Sequence, residues 1–215
     1  MKLLEKLFLH NKKTNQLLFC FTIYCFALLL IRAKLTQTVY LFFLIWNLVL
    51  AYIPYAITAY LLNSKNQYTH KYQLLIPLLV WLLFLPNSFY IVTDLIHLTR
   101  SHANSHWMDL IIISSYACIG FVLGLLSLLD FEKLFSRHYP SHTLRFIIPL
   151  LCVLCGLGIY MGRILRFNSW DILNQPLLVC NALYHLILTR QALLFTLHFG
   201  VFIYFTYTLQ KKQLI

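Results

Sequence analysis

Six stretches of this chain are apolar enough, and nearly long enough, to dictate its solvent. They run from about Leu17 to Ile31, Val39 to Leu62, Leu74 to His97, Leu110 to Leu129, Leu144 to Tyr160 and Leu193 to Leu209. A helix of roughly 20 apolar residues crosses about 30 Å of hydrocarbon, and each stretch is close to that length. The residue balance points the same way. Only 11% of the chain is charged, against about 25% in a soluble domain, so there is too little polar surface to coat a globule in water. The expected fold is all-α: a polytopic integral membrane bundle of about six transmembrane helices, forming a single transmembrane domain over residues 1–215.

The formal charge of +11 does not indicate nucleic acid. The Lys and Arg residues fall mostly between apolar runs and form no stripe. They do report orientation. With six crossings, 11 of them fall on the side of the two termini and six on the other, namely Arg32, Lys34, Arg100, Arg163, Arg166 and Arg190. Positively charged loops stay in the cytoplasm, so both termini are expected there. The opening MKLLEKLFLHNKKTNQ resembles a signal n-region but lacks a small-x-small cleavage site, and an uncleaved first helix is expected. Ile172 to Leu188 is the awkward stretch. Asn174, Asn181 and His185 form one polar stripe along it, which favours an interfacial or re-entrant helix over a seventh span. Asn181 and His185 are expected to turn toward the bundle or the headgroups.

The polar residues collect on one side. Asp94 ends the third span, Asp109 opens the fourth, and Arg163, Arg166 and Asp171 follow the fifth. Asn87, Tyr90, Asp94 and His97 recur every three or four residues, the pattern of one helical face. Pro86 just before them should disrupt the helix and free a carbonyl. Ionisable residues at such depth face the bundle interior or water. The glycine pairs Gly120/Gly124 and Gly158/Gly162 have the spacing that lets helices approach closely. Asp94, Asp109, Arg163 and Asp171 should therefore converge, with at least one carboxylate on an arginine. The cytoplasmic halves of the spans look dry, apart from Asn47 and His198.

Cys152 and Cys155 form a C-x-x-C pair inside a long apolar run, where core packing is the expected role rather than redox chemistry. His102 and His106 have an i, i+4 spacing and could join Asp94 and His97 at a metal. The full H-E-x-x-H pattern is absent, and no metal site is assigned.

Trp46-Asn47-Leu48, LPNSFYIVTDLIHL (Leu85 to Leu98), Trp107 with Asp109, and GRILRFNSWD (Gly162 to Asp171) resemble an uncharacterised bacterial membrane family, domain of unknown function 1361. The likeness covers most of the chain from about Thr38. It implies a multi-pass protein of the bacterial inner membrane with a motif-rich polar face. Phe167 stands where that family usually has Trp, which keeps an aromatic ring and loses an indole N–H donor. The resemblance carries no activity with it.

Three functions fit these residues. The favoured one is a structural or partner-binding membrane subunit whose polar face docks another membrane protein. The second is an enzyme acting on a lipid-linked or anionic substrate. There Asn87, Arg163, Arg166, Asn168 and Trp170 would bind, and Asp94, His97, Asp109 and Asp171 would supply the chemistry. The third is a small-solute or proton-coupled transporter. Membrane lipid is an expected partner, and the sequence names neither substrate nor cofactor.

Overall fold

A computed structural model describes residues 12–63, 72–100, 106–136 and 139–213. His102 lies outside the described residues, as do Lys2, Lys6, Lys65, Lys71 and Arg137, five of the 11 cations counted on the side of the termini. Helix α1 is Lys12–Thr36, and a 3-10 turn at Tyr40–Phe42 leads into α2, Phe43–Asn63. Helix α3, Tyr72–Tyr90, continues as a 3-10 segment, Ile91–Arg100. Then come α4 (His106–Phe135), α5 (Ser141–Arg163), the single turn α6 (Asp171–Asn174), α7 (Pro176–Leu188) and α8 (Arg190–Gln213). Six helical stretches are long and apolar enough to cross a membrane. Helix α7, at 13 residues, rises only about 20 Å and is too short to be a seventh.

Helix α4 is the hub. More than half of its apolar window, 56%, is buried, against 22–39% for the other five. Helix α3 is wedged against α4 and α5 at their glycines. A Cβ at Gly124 would lie 2.6 Å from the Phe89 ring, one at Gly120 would lie 2.7 Å from Ile91, and one at Gly158 would lie 2.6 Å from Pro86. The small residues thus pull three backbones together, as their spacing predicts.

Pro86 lies within its helix, and the disruption expected beside it appears about a turn later. Helix α3 passes through it and changes only at Ile91. Pro54 is likewise inside α2. Both prolines lack an N–H and crowd the preceding turn, and in each case a serine from another segment reaches the carbonyl three residues earlier. Ser88 Oγ donates to Ala51 O (2.9 Å) and Ser169 Oγ to Leu83 O (3.2 Å). Hydroxyls from neighbours are how a membrane helix tolerates such a break.

Helix α7 turns its apolar side to the bundle. Val179 and Leu186 are buried and Leu183 is half-buried, whereas Asn181 and His185 are exposed. The apolar residues face the bundle because their burial needs no hydrogen-bond partner. Asn181 and His185 point away from the bundle, which excludes the first of the two orientations expected for them and leaves the headgroups.

Candidate functional site

Ten residues of 3-10 helix are unusual, since such runs rarely exceed three or four. The tighter winding repeats every three residues, so the face expected from α-helical spacing divides in two. Asp94 and His97 lie on one ridge, Tyr90 and Thr93 on the next. This division builds the site.

Asp94 turns inward and is 1% exposed. Its carboxylate accepts from Arg163 Nη2 and from Asn47 Nδ2 at 2.8 Å, and His97 Nε2 lies 4.0 Å away. Arg163 is held on the neighbouring ridge as well. Its Nε donates to Thr93 Oγ1 (2.8 Å), and its guanidinium carbon sits 4.2 Å above the Tyr90 ring. The His97 ring meets Tyr40 OH through Nδ1 (3.1 Å) and Arg163 Nη1 through Nε2 (3.5 Å). Asn47, expected in a cytoplasmic half, is at the Asp94 end. Helix α2 begins at Phe43, only about one turn before it.

The other two carboxylates do not join this network. Asp109, 1% exposed, is taken by Arg32 of α1, with Nε to Oδ1 at 2.9 Å and Nη2 to Oδ2 at 3.3 Å. Arg32 Nη1 continues to Thr38 Oγ1 at 2.6 Å. Asp171 turns back on its own loop, accepting from the Asn168 N–H (2.6 Å) and more weakly from Asn168 Nδ2 (3.4 Å). Asp94 meets Arg163 as expected, whereas Asp109 is paired with Arg32 and Asp171 with its own loop. Sequence reasoning counted Arg32 only as a loop charge. Its position directly at the end of the apolar run, where a cation within the helix needs a partner, was the available signal. Thr93, Tyr40 and Ser169 carried none.

A cleft of about 1180 Å³ opens between α2, α3, α5 and the segment from Arg166 to Leu183. Its polar end has Asn87, His97, Arg163, Arg166, Asn168 and Trp170, and its body is walled by leucines of α3, α5 and α7. Of the four residues expected to do acid–base chemistry, only His97 is on the wall. Asn87 Nδ2 is engaged by Ser169 Oγ (2.9 Å). Arg166 reaches the mouth because the chain doubles back after α5. The Phe167 N–H returns to the Met161 carbonyl (3.0 Å), and Arg166 adopts a left-handed φ of 61°. Trp46, Trp107 and Trp170 are all exposed at this end of the bundle, where indoles favour the membrane–water boundary. Among the described residues, no three His, Cys, Asp or Glu side chains group at metal-binding range.

Six helices long and apolar enough to cross a membrane, with a mainly apolar cleft between three of them, mark a multi-pass membrane protein. The chain belongs to the family described as Protein of unknown function (DUF1361), whose model matches residues 46–206. No curated protein and no solved structure matches the chain. The match begins at Trp46 and so excludes α1, including Arg32.

Proposed function

We propose that the protein holds a membrane-borne amphipath in this cleft, its chain along α3 and α5 and its anionic head at Arg163, Arg166 and His97. One observation carries the reading: the cleft has the dimensions and polarity of one leaflet. Leu79 and Tyr90, both on its wall, are about 16 Å apart along α3, roughly half of a 30 Å hydrocarbon layer. The apolar wall ends at two arginines, near the depth of the tryptophans. The volume is at or above the upper end of ordinary small-molecule pockets, about 300–1,000 Å³. Asp94 acts in this reading as a positioning residue, because Arg163 and Asn47 already occupy its carboxylate.

The purified full chain, examined by native mass spectrometry in a neutral detergent, should retain phosphatidylglycerol as a one-to-one adduct. Leu154→Trp, which fills the apolar wall at an exposed position, should weaken retention about tenfold, on the scale of one large side chain's burial. Equal retention by the two proteins would remove the cleft as the chain's path.

The location consistent with this reading is the bacterial inner membrane, with both termini cytoplasmic and the polar end of the cleft outside. The 11-to-6 division of Lys and Arg supports it. In a background without the exposed native cysteines, Lys34→Cys should react with an impermeant maleimide added outside intact spheroplasts, and Lys212→Cys should not. Labelling of position 212 from outside would reverse the orientation.

A further inference from the structure

The two arginines of the cleft differ in charge balance. Arg163 is matched by buried Asp94, held by Thr93 and laid on Tyr90, so its charge is already offset within the protein. Arg166 is exposed at the mouth. Among the described residues, no carboxylate lies within ion-pair distance of it. Asp171, five positions away, spends its carboxylate on the Asn168 N–H and is not on the cleft wall. With Arg163 offset by Asp94, Arg166 gives the polar end of the cleft a positive charge that no described carboxylate offsets.

That balance selects among head groups. At the membrane boundary a head group that matches the charge of Arg166 binds better than one that leaves a net charge or brings a second cation beside it. A phosphodiester, with one negative charge, neutralises the site. A phosphomonoester carries about −1.5 to −2 at pH 7 and leaves an excess negative charge. A zwitterionic head brings a second cation to Arg166. We infer that the ligand is a lipid with a singly charged phosphodiester head and no cation of its own, selected by Arg166, while Arg163 positions the site. This inference rests on the lipid-binding reading above and names the ligand class for the same cleft.

Binding to the purified full chain is followed by the fluorescence of Trp46 and Trp170, which line the cleft. The probes are phosphatidylglycerol, phosphatidic acid, phosphatidylcholine and the chainless diester glycerophosphoglycerol. Phosphatidylglycerol should bind about tenfold tighter than phosphatidylcholine, the scale of one charge-assisted contact, and at least as tightly as phosphatidic acid. The chainless diester should not bind, which separates a lipid head from a free phosphodiester. Arg166→Gln should erase the preference for phosphatidylglycerol while keeping helicity and monodispersity, and Arg166→Lys should retain most of it. Phosphatidic acid binding about tenfold tighter, a chainless diester that binds as well, or an Arg166→Gln protein with its preference intact would each overturn the inference and leave the lipid-binding reading in place. Failure of every lipid to bind would remove both. The comparison of lipids on the wild-type chain holds whether or not a variant folds.

Discussion

Asp94→Leu is expected to remove most of the folded, monodisperse protein recovered from the membrane. Asp94 joins α2 through Asn47 and α5 through Arg163, and its side chain is 1% exposed. The substitution leaves the Arg163 guanidinium partly buried without its anion. Breaking a buried pair from one side costs about 3–5 kcal/mol, a large part of the roughly 5–15 kcal/mol that holds a typical domain together. The double variant Asp94→Leu/Arg163→Met should recover much of the loss, since it removes both charges together. Asp94→Asn should fall between, because an amide oxygen can still accept from one of the two donors. Thermal unfolding in detergent, read by size-exclusion recovery, ranks the three. An Asp94→Leu protein that melts with wild type would refute the pairing as a source of stability.

Arg32→Met should produce a comparable loss with a different signature. Asp109 is as buried as Asp94 and has Arg32 as its cation, so the same cost of about 3–5 kcal/mol applies. The consequence is local to α1. Other side-chain ties from α1 to the bundle include the Thr22–Tyr52 contact (2.8 Å) and the Tyr55–Asn15 hydrogen bond (2.7 Å), both part-buried and individually modest. Helix α1 should therefore come away first, leaving α2 to α8 folded. A protease should cut α1 from Arg32→Met in detergent at concentrations that spare the wild type. Arg32→Met/Asp109→Asn should be protected again, because no carboxylate is left stranded. Equal resistance of Arg32→Met and wild type would show that apolar packing alone seats α1.

Much of this architecture was legible from apolar runs alone. Six spans follow from their lengths, and the short helix α7 follows from a run too brief and too polar to cross. The alternation of crossings also assigns a depth to every residue near a helix end. Arg163 and Asp94 could therefore be expected at the same level before any packing was known, and they are paired.

Depth is only one coordinate of a residue in a bundle. The other is rotation about the helix axis, and there the expectations went astray. Asp109 has the right depth to meet Asp94 or Arg163 but faces α1, where Arg32 meets it. The polar face drawn from α-helical spacing was divided by 3-10 winding, which placed Asp94 inward and His97 on the cleft wall. Arg166 became the exposed cation at the mouth through a left-handed turn that its side chain does not signal. Transfer of apolar length into hydrocarbon is a property of each segment by itself, so the sequence alone determined the number of crossings and the depth of each charge. Azimuth is set by which neighbour each helix packs against and by the close contacts at Gly120, Gly124 and Gly158. Only the tertiary structure could decide which carboxylate met which arginine, because that choice depends on surfaces contributed by distant parts of the chain.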